Sequence, residues 1–239
     1  MTTVKIFETP LQTAKQLARD LATYIRRTIG QKQIFSIALS GSRTPEILFE
    51  VLVKDYADVL QNPKLHFFWV DERCVPWESD QSNYGEACRF IFNKLAINES
   101  RLHPMFRGKD PETSAKDYEI ELNSLLKLKY ARPVFDVILM GVGDDGHTAS
   151  IFHNQMHLID HKHHVATAKH PTSGQDRITL TGKVLNNALM TVYFIIGKQK
   201  AGIIKRVANE DYTLPATHIQ GSKQVYWYAD KDAASELSE

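Results

Sequence analysis

Short apolar runs alternate with longer amphipathic stretches along this chain, and this alternation constrains the fold more than any other feature. The runs at Ile34–Leu39, Leu65–Val70, Val134–Met140 and Met190–Ile196 have the length typical of buried strands. Longer segments between them carry apolar residues at helical spacing, as in residues 10–29. Strands that alternate with helices indicate an α/β fold with a largely parallel sheet.

The remaining elements complete this pattern. Helices are also predicted over residues 46–60, 82–95 and 111–128 and after Lys200, and shorter strands over residues 165–168, 178–180 and 225–229. No segment has the composition of a linker, and 239 residues are enough to bury a sizeable core. We therefore expect one Rossmann-like α/β domain over residues 1–239, with a mostly parallel sheet flanked by helices.

Composition narrows the function classes. Lys and Arg number 29 and Asp and Glu 28, so the net charge of +1 argues against a nucleic-acid partner. The two cysteines have no zinc or disulfide spacing, which fits a reducing compartment. The first residues lack a signal-peptide pattern and every apolar run is too short to cross a bilayer. We expect a cytoplasmic protein without a membrane partner, and the sequence leaves its oligomeric state open.

Four polar or glycine-containing segments each follow a predicted strand. They are Ser40–Pro45, Asp71–Pro76, Gly141–His147 and Gly197–Lys200. Because ligands of open α/β sheets bind outside the carboxyl ends of the strands, these segments are expected to converge on one site.

The first of these segments reads Ser40, Gly41, Ser42, Arg43 and Thr44, followed by a proline suited to the first turn of a helix. Backbone N–H groups at a helix start, together with hydroxyl groups, make a cradle for phosphate. An ordinary helix cap provided by Thr44 is the alternative.

The third segment, residues 141–146, matches the spacing G-x-G-x-x-G. A dinucleotide site is disfavoured, because two carboxylates inside the turn would repel a pyrophosphate. The alternative is that glycines such as Gly143 bring the backbone close to a ligand while Asp145 and His147 carry the chemistry. A carboxylate beside an imidazole can orient it and raise its basicity.

Charged residues follow two other strands. Asp71 and Arg73 stand at one strand end, where a solvated edge is the common structure. In a ligand crevice, however, the planar fork of Arg73 suits a phosphate or a carboxylate. Lys200 can add a positive charge to the same crevice, although a lone lysine is usually only solvated.

The remaining histidines do not predict a metal site. His153 and His157 have the spacing of H-E-x-x-H without its glutamate, so this zinc motif is absent. A solvated polar segment is expected there instead. Cys74 is interpreted as a packing residue.

Taken together, the motifs resemble the 6-phosphogluconolactonase family, which also contains glucosamine-6-phosphate isomerase/deaminase. The matching segments are ALSGSRTPE at 38–46, VDERCVP at 70–76, SNYGEA at 82–87, FDVILMGVGDDGHTASIF at 135–152, DRITLTGKVLNNA at 176–188, GKQKA at 197–201 and LPATHIQG at 214–221. The DER and DGHTAS motifs favour the lactonase branch, since the deaminase branch carries DEY-type and NGHIAF-type motifs. The first loop departs from the family's SGGSTP-like pattern, with Ser42 in place of a glycine and Arg43 in place of a small residue.

The resemblance implies hydrolysis of 6-phospho-D-glucono-1,5-lactone, a small phosphosugar lactone, without a metal or an organic cofactor. It implies that His147 is the general base and that Asp145 orients it. It also implies that Arg73, Lys200 and the Ser40–Thr44 loop bind the phosphate. Arg177 is a further candidate for that role. Gly143 and Asp71 are expected to help build the substrate site.

Two other functions stay open at this point. An isomerase/deaminase acting on a phosphorylated amino sugar would use Asp71 as its base. A non-catalytic sugar-phosphate sensor would keep the phosphate cradle without turnover, which the intact pair of Asp145 and His147 disfavours.

Overall fold

The alternating strands and helices assemble around one main sheet in the computed structural model, which describes residues 2–41, 44–221 and 223–237. The strands are β1 Thr2–Phe7, β2 Phe35–Leu39, β3 Leu65–Trp69, β4 Asp71–Arg73, β5 Leu128–Lys129, β6 Arg132–Pro133, β7 Val137–Met140, β8 Val165–Lys169, β9 Asp176–Leu180, β10 Met190–Ile195 and β11 Gln224–Asp230. The helices are α1 Pro10–Thr28, α2 Thr44–Asp55, α3 Ala57–Leu60, α4 Asn83–Ala87, α5 Asn93–Leu95, α6 Pro111–Leu125, α7 Gly182–Leu185 and α8 Ala201–Ala208.

The main sheet is parallel throughout. Among the described residues it contains six strands in the spatial order β1-β11-β10-β7-β2-β3. Every residue of β2, β7 and β10 is buried, as expected for strands covered on both faces. The predicted α/β class with a mostly parallel sheet is therefore confirmed, and the carboxyl ends of these strands share one edge.

Helix α1 shows how local sequence sets an element. Thr9 caps the helix by accepting a hydrogen bond from the Gln12 backbone N–H, and Pro10 occupies the first turn. Its buried side chains recur at helical spacing: Thr13, Ala14, Leu17, Ala18, Leu21, Ala22 and Ile25. This apolar stripe packs into the hydrophobic core, and the helix is predicted from sequence almost to the residue.

Two predicted helices are less regular than their periodicity indicates. The helix expected over residues 46–60 is divided into α2 and α3 at Tyr56, whose φ of −139° is not helical. The helix expected over residues 82–95 contains a π-helical turn at Cys88–Phe92 between α4 and α5. Apolar spacing reports which face is buried, and it does not detect a local change of helical pitch.

A second, smaller sheet makes a strand of Asp71–Arg73, the beginning of a segment expected only to follow a strand. Within the described residues, β4 joins β9 and β8 in a three-stranded antiparallel sheet, with Asp71 opposite Thr179 and Arg73 opposite Arg177. A run of charged residues seldom indicates a strand. Asp71–Arg73 forms one because it pairs with β9, a segment distant in the sequence.

Strand β1 is absent from the sequence-based expectations. It pairs with β11 at the edge of the main sheet, where its side chains are exposed or half-buried. An edge strand lacks the continuous apolar run by which the central strands are recognised.

Candidate active site

A cavity of about 300 Å³ lies at the carboxyl edge of the main sheet. Its wall includes residues from all four segments that follow predicted strands: Ser40, Gly41, Asp71, Arg73, Gly141, Val142, Gly143, Asp144, His147 and Lys200. Arg177 and His170 complete the polar side of the wall, and Phe152, Phe194, Ile195 and Ile196 contribute apolar surface. The parallel strands thus bring together segments that are far apart in the chain.

His147 lines this cavity, and the Asp145 carboxylate is hydrogen-bonded to its imidazole. The His147 Nδ1 lies 2.5 Å from the Asp145 Oδ1, which also accepts the His147 backbone N–H at 3.1 Å. The hydrogen bond from His147 holds the pKa of the Asp145 carboxyl well below its usual range. An ionised Asp145 keeps the proton on Nδ1, so the neutral imidazole presents Nε2 as its basic nitrogen.

Gly143 makes room for this imidazole. A Cβ at Gly143 would lie 2.1 Å from the His147 Nδ1, closer than any side chain permits. The Gly143 N–H also donates to the His147 carbonyl oxygen at 2.8 Å, which closes the turn. Gly143, the second glycine of the G-x-G-x-x-G spacing, is therefore needed because any larger residue would displace the His147 imidazole. The sequence alone does not reveal this packing requirement.

Arg73 and Arg177 place two guanidinium groups side by side in the wall. They face each other across β4 and β9, and among the described residues the buried Nε of each has no hydrogen-bond partner. Arg73 donates to the Gln81 carbonyl oxygen at 2.7 Å. Burial, followed by the charge of Arg73, lowers the pKa of Arg177. Two adjacent cations with free donors favour an anionic ligand.

Lys200 is more constrained than the sequence indicates. Its ammonium donates to the Val142 carbonyl oxygen at 2.6 Å and pairs with Asp144 Oδ1 at 2.5 Å. The charge lies in the cavity wall and also ties the segment after β10 to the segment after β7.

Asp71 is held by a buried network that the sequence analysis did not find. Its Oδ2 accepts the Ser150 hydroxyl at 2.6 Å, and its backbone carbonyl accepts the Asn83 Nδ2 at 2.8 Å. Ser150 lies in the DGHTAS motif and Asn83 in the SNYGEA motif, so both occur within segments already noticed. No local pattern indicates that these segments touch.

The neighbouring Glu72 anchors the same region. Its carboxylate accepts the backbone N–H groups of Arg73, Asn83 and Tyr84 at 2.7–2.8 Å. Burial raises the pKa of Glu72 to about 7. Glu72, whose charge in the sequence is typical of a solvated residue, is thus buried and joins β4 to α4 through hydrogen bonds.

The first loop is described only in part. A Cβ on Gly41 would lie 1.8 Å from the Asn83 Oδ1, so the glycine lets the loop pack on Asn83. Ser40 and Gly41 line the cavity, as predicted for a phosphate-binding loop. Ser42 and Arg43 lie outside the described residues, as does the side chain of Thr44, and the predicted cap and the phosphate contacts assigned to these three residues fall there.

Two outcomes concern the other predicted features. His153, expected in a solvated segment, is exposed but bonds to the backbone carbonyls of Asp145 and Thr213. Cys74 is half-buried and packs against the core, in accord with its interpretation as a packing residue.

Within the part of the chain that is described, no helix has the length and apolarity to cross a bilayer.

Comparisons with known proteins agree with this geometry. The 6-phosphogluconolactonase of Haemophilus influenzae is 38% identical over 202 residues, which cover 82% of this chain and 85% of that protein. The crystal structure of a devB protein is 36% identical and superposes over 100% of both chains with a TM-score of 0.92. A 6-phosphogluconolactonase structure from Trypanosoma brucei is 26% identical, with a TM-score of 0.84 over 100% of this chain and 99% of that one.

A family model sets these similarities in a wider group. The model described as glucosamine-6-phosphate isomerases/6-phosphogluconolactonase matches residues 8–227. That match spans most of the chain, including every segment that lines the cavity. The chain therefore belongs to the glucosamine-6-phosphate isomerase/6-phosphogluconolactonase family.

Proposed function

We propose that this protein hydrolyses 6-phospho-D-glucono-1,5-lactone to 6-phospho-D-gluconate. Relatives named 6-phosphogluconolactonase support this activity, and one of them shares 38% of aligned residues. The observation that carries the proposal is the pair of His147 and Asp145 in a cavity that also contains two adjacent arginines. A base and an anion-binding wall are what hydrolysis of a phosphorylated lactone needs.

The chemical step begins with His147 as general base. Its Nε2 takes a proton from a water molecule as the water oxygen attacks the lactone carbonyl carbon, and a tetrahedral intermediate forms. The intermediate collapses when the bond between that carbon and the ring oxygen breaks. The imidazolium returns its proton to the ring oxygen, which becomes the hydroxyl of the open chain. The carboxylic acid formed at the carbonyl carbon then ionises.

Asp145 is the positioning residue for this base. Its carboxylate fixes the Nδ1–H tautomer and stabilises the imidazolium that forms during the attack. General-base assistance of this kind contributes ~10²–10⁴-fold to a rate. Gly143 shapes the same turn so that the imidazole reaches the cavity.

Phosphate binding holds the substrate against the base. We assign this role to Arg73, Arg177 and Lys200, which supply positive charge to the wall, and to the loop Ser40–Thr44. Energy from the remote phosphate fixes the lactone ring in a reactive position, which lowers the entropic part of the barrier. Asp71 contributes to the wall through its bonds to Ser150 and Asn83.

One assay with two substrates tests the proposal. Purified protein is given freshly prepared 6-phosphogluconolactone, with the spontaneous rate subtracted, and separately glucosamine 6-phosphate with detection of ammonia. Lactone hydrolysis without ammonia release is the expected result. Ammonia release would identify an isomerase/deaminase instead, and ligand binding with neither reaction would identify a sugar-phosphate sensor.

A further inference from the structure

A second histidine, His170, lies in the cavity wall on a closed hairpin. It directly follows β8, and its backbone N–H donates to the Gln175 carbonyl oxygen at 2.9 Å. Its own carbonyl oxygen accepts the Gly174 N–H at 2.9 Å. The turn between β8 and β9 is thereby fixed, and it carries the imidazole close to Arg177 at the start of β9.

The hydrogen bonds of this imidazole show which of its ring nitrogens carries the proton. The Nδ1 of His170 accepts the backbone N–H groups of Ser173 at 3.2 Å and Thr172 at 3.4 Å. Burial, followed by the charge of Arg177, lowers the pKa of His170, so the ring is neutral at pH 7. A neutral ring that accepts at Nδ1 carries its proton on Nε2, on the side turned away from these two amides.

Phe152 packs against this ring and also against the imidazole of the proposed base. The Phe152 ring is 2% exposed and meets His170 edge-on at 5.2 Å between ring centroids. The same ring packs against His147 at 4.9 Å. His170 and His147 therefore share Phe152 as a neighbour, and the charge in the wall that acts most strongly on His170 is that of Arg177.

We propose that His170 is a further substrate-binding residue, whose Nε2–H donates a hydrogen bond to a hydroxyl oxygen of the sugar chain. A ligand that reaches from His147 to the arginines presents hydroxyl groups between its reacting carbonyl and its phosphate. An uncharged donor suits a hydroxyl oxygen, whereas the neighbouring cations suit the phosphate. The identity of the ligand rests on the proposed function.

Two substitutions separate this role from a structural one. In His170→Asn, the amide oxygen can keep the acceptor for Ser173 and Thr172, and the donor into the cavity is lost. In His170→Gln, the longer side chain brings an amide N–H near the position of Nε2. We expect His170→Asn to weaken binding of 6-phosphogluconate by roughly 3- to 10-fold, the size of one neutral hydrogen bond. His170→Gln should recover most of that affinity, and the melting temperatures of both variants should stay close to the wild type.

Isothermal titration with 6-phosphogluconate gives the deciding measurement, and inhibition by inorganic phosphate provides the comparison. Phosphate has no carbon chain, so its inhibition constant should be the same for wild type and His170→Asn. Unchanged 6-phosphogluconate affinity in His170→Asn would overturn the inference, as would an equal loss for inorganic phosphate. A wild type that binds 6-phosphogluconate without turning over the lactone would refute only the proposed function. A wild type that does not bind it would refute both.

Discussion

Arg73 and Arg177 occupy directly opposed positions of the antiparallel strands β4 and β9, with both guanidinium groups in the wall of one cavity. Like charges opposite each other in a sheet are destabilising unless something compensates them. Each Nε is buried without a partner among the described residues, and both residues line the cavity, so two positive charges are available there to an anion. Repulsion between the two charges costs stability, and a ligand with a phosphate group offsets that repulsion.

The first prediction concerns this pair. Arg73→Ala should raise the KM for 6-phosphogluconolactone by roughly 10- to 150-fold, because one charge-assisted contact is worth about 1.5–3 kcal/mol. Steady-state kinetics with the phosphorylated lactone and with unphosphorylated gluconolactone measure the effect. Arg26→Ala is the matched control, since Arg26 pairs with Asp58 at the exposed surface. Equal losses on both lactones would contradict phosphate binding by Arg73.

The second prediction concerns the base. His147→Asn can keep a donor for the Asp145 carboxylate and removes the basic Nε2. Turnover should fall by ~10²–10⁴-fold, the usual contribution of general-base catalysis. Titration with 6-phosphogluconate should give an affinity close to that of the wild type. Turnover near the wild-type level, after subtraction of spontaneous hydrolysis, would exclude His147 from the chemical step.

The third prediction follows from Glu72 and concerns stability against pH. Burial raises the pKa of Glu72 from 4.5 to about 7, so the folded protein holds this proton more tightly than the unfolded chain. The unfolded chain therefore binds fewer protons between pH 4.5 and 7, and stability falls as the pH rises through that window. The slope approaches about 1.4 kcal/mol per pH unit.

Glu72→Gln is the variant that isolates this group. It removes the titration. It also loses acceptors for the backbone N–H groups of α4, and the cost of those lost hydrogen bonds does not itself vary with pH. Denaturant unfolding of both proteins from pH 4.5 to 7.5 measures the difference. The wild type should lose stability relative to Glu72→Gln as the pH rises to 7. A constant difference across the series would show that Glu72 does not titrate there.

The fourth prediction tests the contact between the first loop and α4. Gly41→Ala should destabilise the protein by about 1–3 kcal/mol, because its Cβ would overlap the Asn83 amide. In the background of Asn83→Gly, which removes that amide, the same substitution should cost clearly less. A double-mutant cycle from thermal unfolding measures the coupling between the two positions. Additive effects would mean that Gly41 and Asn83 do not touch in solution.

Local sequence was sufficient for the elements whose pattern is self-contained. Helix α1 is defined by its cap at Thr9 and its apolar stripe, and β10 by a continuous apolar run. The strand-end segments around Asp71, His147 and Lys200 were recognisable for the same reason, since polar residues after buried strands mark the ligand edge of a parallel sheet. The resemblance of their motifs to one family then pointed to the reaction.

The tertiary structure alone decided which groups meet inside the site. Asp71 pairs with Thr179 across 108 positions of the chain, and that pairing turns a charged segment into β4 and sets Arg73 beside Arg177. The pairing of β9 with β8 in the same sheet brings His170 to the cavity. Hydrogen bonds join Ser150 and Asn83 to Asp71. Periodicity and capping act within a few turns of backbone, whereas these contacts depend on the register of strands that are distant in sequence. For that reason the sequence determined the framework and the edge where chemistry lies, and only the fold decided the partners of each side chain there.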